Sequence, residues 1–391
     1  MNSLYSADVL DFFSLLSPRE QLVLSDLRTV LNREVKPVVN EYWDKGEFPT
    51  EVIEPLVALN LMRPPSLTAV GEEPSALYAG FRNLELARTD ASIATFYNAV
   101  SGLFRTTVQL GGSAEQVALW DDAITNFEFT GAFSLTEPEH GSDIARGIET
   151  TATRDGDDWI LNGSKRWIGG CSLVDNLAIF AKGENPGEIF GFIVPRTAEG
   201  ITLEKIQRKT SLRIMPNFEV EIDHVRVPET LRLANINNFA DVARLLRNMR
   251  SDAAWIATGA QMGAYEAALN YVMNRKQFGK PLASFQLIQE KLATMLSNII
   301  ASLSLVVRLT QQQDAGIYQD AHSAMAKRLC AARLRETAAL AREVVGGNGI
   351  VLDEDVARFF ADAEAIYSYE GTDEINALIV GRAITGINAF K

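Results

Sequence analysis

Near the C-terminus the segment IYSYEGTDEINA, Ile366–Ala377, sets Glu370 between Tyr369 and Gly371, with Thr372, Asp373 and Glu374 directly behind. A carboxylate framed by an aromatic ring and a glycine is suited to proton abstraction. Burial raises its pKa, and the missing Cβ lets a ligand pass close by. The plainer reading is a helix start, where exposed acids answer the dipole.

Three other segments carry chemistry, each with a plain alternative. FSLTEPEHGSD, Phe133–Asp143, offers the hydroxyls of Ser134, Thr136 and Ser142 beside Gly141, so that backbone N–H groups can meet an anion or a heteroaromatic edge. It reads equally as a polar loop. SKRWIGG, Ser164–Gly170, ends a strand with a Trp beside glycines, which suits core packing or a flat cofactor. RKQFGKPLASFQ, Arg275–Gln286, gathers cations at a helix break, where they answer either the dipole or a phosphate. GGNG, Gly346–Gly349, stops a helix and lacks the GK[ST] of a Walker loop, and no GxGxxG follows a strand.

The elements that must position these residues fall into three zones. Residues 1–130 show helical spacing broken at RPPS. Residues 131–240 shift to strand patterns: TTATRDGDDWILNG turns at Asp155–Asp157, and FEVEIDHVRVPE alternates up to Pro228. Residues 241–391 return to long helices, with Phe285, Ile288, Leu292, Met295, Ile299 and Val306 on one stripe. The fold expected is mainly α with a middle antiparallel β domain and a C-terminal helical bundle.

Composition excludes several classes. Hydrophobic content of 47% and charged content of 22% are those of a globular protein. A net charge of -13 without a basic tail argues against nucleic acid, and obliges any anionic ligand to be gripped locally. The histidines His140, His224 and His322 are scattered, so no metal is expected, and Cys171 with Cys330 read as reduced thiols. MNSLYSADVLDFF lacks the basic start of a signal peptide, and the apolar run NIIASLSLVVRL is shorter than a bilayer span. These features lead to the expectation of a cytoplasmic protein with no membrane association.

In order and content, FSLTEPEHGSD, KRWIGG, RKQFGKPLASFQ, GGNG and YEGTDEI resemble the acyl-CoA dehydrogenase family, through essentially the whole chain. YEGTDEINALIVGRAITGINAF looks most like the glutaryl-CoA dehydrogenase branch, while RWIG and REVVGGNGI are similar to short-chain acyl-CoA oxidases of the same fold. The resemblance implies three domains, at residues 1–130 (helical), 131–240 (β) and 241–391 (four-helix bundle), with non-covalent FAD in a homotetramer. It implies that Phe133, Leu135, Thr136 and Ser142 contact the flavin and pyrophosphate, with Trp167, Ile168 and Gly169 beside the ring. Arg275, Gln277, Phe278, Gln286, Gly346 and Gly347 would reach the FAD of a neighbouring subunit, and Thr372 and Glu374 its adenosine half. Ser142, Ala94, Tyr97, Arg250, Tyr369 and Gly371 would line the acyl-CoA site, with Glu370 as the base. Some relatives carry the base at the position of Met249, which cannot act as one.

Two departures refine the expectation. Gly169 stands where the family usually has Thr or Ser, with a hydroxyl on flavin N5, and Gly170 replaces Asn. Ala94 stands where glutaryl-specific members place an arginine, so a distal carboxylate would lack a counter-ion. The expected reaction is therefore α,β-dehydrogenation of a short or branched uncharged acyl-CoA, with electrons passing to an electron-transferring flavoprotein. An oxidase using oxygen and a glutaryl-CoA dehydrogenase are the alternatives, and a non-catalytic acyl-CoA or flavin binder is the remotest.

Overall fold

The computed structural model describes residues 4–389. Contacts gather the chain into two compact units. One holds the chain up to Thr95, the short segment Thr210–Ile214 and everything from Arg250 onward; the other holds Phe96–Lys209 and Met215–Met249. Helices from both ends of the chain thus share one unit.

The helical unit contains α1 (Pro18–Val30), α2 (Val39–Lys45) and α3 (Ala76–Thr89). Helices α4 (Ala91–Asn98) and α5 (Phe239–Asn274) run through the boundaries between units, and α6 (Gln286–Asp314), α7 (Asp320–Val345), α8 (Val356–Ser368) and α9 (Asp373–Thr385) complete the set. Ser17 starts α1 with a reciprocal cap: its hydroxyl accepts from Glu20 N and its N–H donates to the Glu20 carboxylate. Backbones approach closely where α3 meets α5, because a Cβ on Gly259 would lie 2.2 Å from the Leu84 carbonyl oxygen. Three helices are keyed together by buried Gln261 of α5, whose Nε2 donates to Ser302 Oγ of α6 (3.0 Å) and Cys330 O of α7 (3.1 Å).

The apolar run in α6 needs a correction. It belongs to a helix that is long and apolar enough to cross a membrane, contrary to the expectation from run length. Its Met295, Ile299, Leu303 and Val306 are fully buried against the other helices of the unit, as in a bundle core.

The second unit is built on a seven-stranded sheet: β1 (Gly131–Ser134), β2 (Thr151–Asp155), β3 (Asp158–Gly169), β4 (Asn176–Lys182), β5 (Ile189–Pro195), β6 (Ile201–Lys205) and β7 (Asn217–Pro228). The spatial order is β1-β4-β2-β3-β7-β6, with β5 paired to β4. Asp155 pairs Asp158 across the expected tight turn. Four pairings are antiparallel as expected, but β1 runs parallel to β4 and Thr151 of β2 meets Lys182 of β4 in parallel. Four residues, GAFS, are too few to show a pairing direction. β4 is buried on both faces from Leu177 to Ala181, which is what a central strand requires.

Candidate active site

In the β unit the exit of β1 lies beside β3. The N–H of Arg166 donates to Thr136 O (2.8 Å), and Lys165 Nζ donates to Leu135 O (3.2 Å). This brings Phe133, Leu135 and Thr136 together with Trp167, Ile168 and Gly169. Phe133 packs on Phe180 (centroids 5.0 Å apart), while Ser142 is exposed on the turn after His140. A buried ion pair anchors the corner. Lys165 Nζ sits 2.7 Å from Glu137 Oε1, and Glu137 also accepts from Thr150 N and Oγ1 and from Glu149 N. Burial works against the Glu137 carboxylate, but Lys165 and these donors hold it below its ordinary range. Burial lowers Lys165 to about 8 despite Glu137.

Trp167 sits in a β-bulge between the pairings of Lys165 and Ile168, in left-handed backbone (φ 65), with its indole 52% exposed under the Arg166 guanidinium. A bulge re-aims one side chain out of the sheet, here an aromatic plane beside two glycines.

In the helical unit a second group assembles around a hairpin, Lys276–Gln277 paired with Lys280–Pro281, between α5 and α6. Both central residues have positive φ, 51° at Phe278 and 77° at Gly279, as in a type I′ turn. Phe278 is a costly occupant of that position and is 92% exposed. Arg275, Lys276 and Lys280 are exposed and make no ion pair among the described residues. Gln286 is exposed at the start of α6. The Gly346–Ile350 turn is tied to the same region by Asn348 Nδ2 donating to Tyr271 Oη (3.1 Å), with Gly346 (φ 71) and Gly347 open to solvent. In a chain of net charge -13, unpaired cations beside an exposed aromatic fit a planar, phosphate-bearing group.

Glu370 lies at the corner between α8 and α9. Tyr369 caps α8 by donating its N–H to Ala365 O, and Thr372 caps α9 by accepting from Ile375 N. The two residues between have φ 55 (Glu370) and 84 (Gly371). Left-handed backbone is natural for glycine and strained, by about 1–2 kcal/mol, for glutamate. Lys327 of α7 closes the corner, donating to Tyr367 O (2.7 Å) and Gly371 O (2.8 Å), and Asn376 Nδ2 also donates to Gly371 O. Glu370 is crowded by protein yet partly accessible. Burial pushes its pKa up to about 7, against Arg250 and Lys327, and Asp252 raises it further. Lys327 is lowered by burial to about 8. The buried Tyr369 hydroxyl lies near Thr95 without a hydrogen bond of normal geometry; burial and then the Glu370 charge raise its pKa well above the tyrosine range. Asp373 is the helix-start acid, paired with Arg328, while Glu374 is exposed.

Ala94 and Tyr97, three residues apart on α4, are both 1% exposed, and Tyr97 packs on Phe127. Met249 is buried, and Arg250 follows it on α5. Sequence reasoning missed Lys327, Asp252, Lys165 and Glu137. For Lys327 a signal existed: it lies on the apolar stripe of α7 with Ala324, Ala331 and Leu334, where a lysine requires a buried acceptor.

A carboxyl poised near neutrality, a presented indole and an exposed cationic hairpin on this helix–sheet–helix chain define one class. The chain belongs to the acyl-CoA dehydrogenase family, matching the N-terminal, middle and C-terminal domain models of that family over residues 17–128, 132–225 and 239–385. It is an FAD-dependent oxidoreductase acting on CH–CH bonds with the three-domain fold of that family. It is similar to the crystal structure of a glutaryl-CoA dehydrogenase from Mycobacterium smegmatis in complex with FADH2, with a TM-score of 0.92 and 30% identity over 99% of this chain and 100% of that one. It is 29% identical to the mitochondrial short-chain specific acyl-CoA dehydrogenase of Mus musculus, over 92% of this chain and 88% of that protein. It is 29% identical to subunit CarC of the caffeyl-CoA reductase–Etf complex of Acetobacterium woodii, over 88% of this chain and 92% of that protein.

Proposed function

We propose that the protein dehydrogenates a short or branched, uncharged acyl-CoA to its 2-enoyl-CoA, with Glu370 as the base that takes the α-proton. One observation carries this reading: a carboxyl in left-handed backbone beside Gly371, raised by burial to about 7. A proton acceptor works best when its pKa is near the working pH, because it is then both ionised and basic. Arg250 and Lys327 keep a fraction of Glu370 ionised at neutrality, and Lys327 holds the corner rigid through Tyr367 O and Gly371 O. The N–H of Glu370 would donate to the thioester oxygen, whose charge grows as the proton leaves. Bound FAD supplies the acceptor for the β-hydride.

Phe133, Leu135, Thr136, Ser142, Trp167, Ile168 and Gly169 would hold the flavin end of FAD. Arg275, Gln277, Phe278, Gln286, Gly346, Gly347, Thr372 and Glu374 would hold the FAD of a neighbouring subunit in a cytoplasmic homotetramer. Ala94 supports an uncharged acyl tail: it is buried and offers no counter-charge to a distal carboxylate. The electron acceptor in this reading is an electron-transferring flavoprotein, in keeping with the Etf complex of the Acetobacterium relative.

The test is anaerobic mixing of the FAD-loaded protein with a panel of acyl-CoAs, following loss of flavin colour, then repetition in air with peroxide measured. Butyryl- or branched acyl-CoA should bleach the flavin, and Glu370→Gln should keep FAD but slow bleaching by roughly a thousandfold or more. No bleaching with any thioester would overturn the reading. The missing hydroxyl at Gly169, taken by itself, favours a second reading, an oxidase, which rapid peroxide formation at turnover would establish. Carbon dioxide release from glutaryl-CoA would refute the use made of Ala94.

A further inference from the structure

Gly169 closes β3 opposite Asn217 of β7. Its φ lies outside the left-handed region, so the backbone there accepts any residue. Space is the constraint: a Cβ at 169 would stand 2.7 Å from Met215 Cε, so the end of the Met215 side chain would have to shift to admit one. The same methyl comes within 3.5 Å of a Cβ built on Gly170, with Phe96 at 3.8 Å from that position. Met215 is 1% exposed, so its thioether end can yield only by repacking within the interior. Its carbonyl accepts from Lys209 Nζ, which also donates to Asn217 Oδ1 (2.6 Å). Asn217 Nδ2 donates to Trp167 O (3.3 Å), and Gly170 N donates to Pro216 O (2.8 Å). The Met215–Asn217 run is therefore stapled along Trp167–Gly170, with its thioether methyl in the place of a side chain at 169.

We propose that Met215 is a specificity-determining residue of the flavin site, forming with Gly169 a coupled pair in which the thioether methyl replaces the side chain that position 169 lacks. This rests on the reading that Trp167–Gly169 lies against the flavin. In this chain the surface beside Trp167 then carries no hydroxyl donor from position 169, and a polarizable, apolar thioether backs it from the interior. The methyl also fills what would otherwise be a gap, so the pair excludes water and oxygen from that edge rather than admitting them. The absence of a side chain at 169 is thus compensated from β7's entry, and the two positions are coupled through packing.

The experiment uses the FAD-loaded protein with Gly169→Ser, Met215→Ala and the two combined. In calorimetric melts of the apoprotein, Gly169→Ser alone should lower the melting temperature by roughly 5 °C through overpacking, and adding Met215→Ala should restore at least half of that loss. The second readout needs no acyl-CoA. Each protein is reduced with dithionite, excess reductant is removed, and air is admitted; transfer of two electrons and two protons to oxygen gives peroxide and the oxidised flavin spectrum. Met215→Ala should reoxidise on the order of tenfold faster than the unchanged protein, and the combined variant should return toward the slow rate. Additive melting effects, or equal reoxidation rates in the unchanged and Met215→Ala proteins, would overturn the proposal. Failure of the Glu370 reading shows elsewhere, as unbleached flavin on acyl-CoA addition, and leaves both of these readouts intact.

Discussion

Replacing Glu370 by glutamine should stabilise the protein in alkali while stopping its reaction. The neutral carboxyl is the form the fold prefers, since burial raises its pKa from the ordinary 4.5 to about 7. That preference contributes fully below about 4.5 and is lost as pH rises through about 7, because the folded state must then accept a charge that the unfolded chain carries freely. At ~1.4 kcal/mol for each tenfold change in proton affinity, the full ionisation cost is about 3 kcal/mol. Glu370 is partly accessible to water, so about 2 kcal/mol is the working figure. Glutamine is never ionised and escapes the loss. Its substitution also removes a charge that favours the Lys327 ammonium, but burial holds Lys327 at about 8, so by about pH 9 it is mostly neutral and that effect fades. Calorimetric melts of apoprotein from acid to about pH 9 should therefore show the Glu370→Gln curve crossing above the unchanged protein and ending roughly 3 °C higher. A variant that melts at or below the unchanged protein at the alkaline end would refute the reasoning, because the carboxyl would then not be held at a cost.

Activity and stability should thus move in opposite directions with pH. The second-order rate of anaerobic flavin bleaching at limiting acyl-CoA should rise along a limb centred near 7, since only the carboxylate accepts a proton; a limb centred at the ordinary 4.5 would assign the base elsewhere. Glu137→Gln leaves the buried Lys165 ammonium with neutral acceptors but no counter-charge, and denaturant melts at neutral pH should show a loss of about 3–5 kcal/mol. That loss should shrink as the pH passes about 8, where Lys165 sheds its proton, and a loss below about 1 kcal/mol at neutrality would show that the pair anchors nothing. Phe278→Ala should leave apoprotein stability within about 0.5 kcal/mol, because the ring is 92% exposed, yet increase FAD loss on gel filtration; unchanged retention would remove Phe278 from the cofactor site.

Much of the fold was legible in the sequence because local pattern and chemistry agreed. The change from helical to alternating spacing near residue 131 coincides with β1, and the return to helical spacing coincides with α5. Glu370 could be singled out because Tyr369 and Gly371 frame it within a few residues. Residues whose role depends on distant partners were not legible. Lys165 and Glu137 are 28 positions apart, Lys327 and Gly371 44 apart, and nothing local announces either pairing. In sequence Met215 is indistinguishable from any core methionine, and only the fold sets its methyl in the space beside Gly169. The parallel pairing of β1 with β4 and the membership of Thr210–Ile214 in the helical unit are likewise properties of chain topology, on which short-range periodicity is silent.

The left-handed backbone of Glu370 has a consequence for how this chain drifts over generations. A glutamate codon lies one base change from glycine, the residue for which φ 55 carries no strain, and the same change removes a buried carboxyl. Both effects favour the fold. Mutation supplies the exchange readily, and thermodynamic stability alone rewards it. A lineage that kept the cofactor and abandoned the reaction would have had an easy route through Glu370→Gly. This chain carries glutamate at that corner, and the same comparison can be made on any relative from its codon and its backbone angle there.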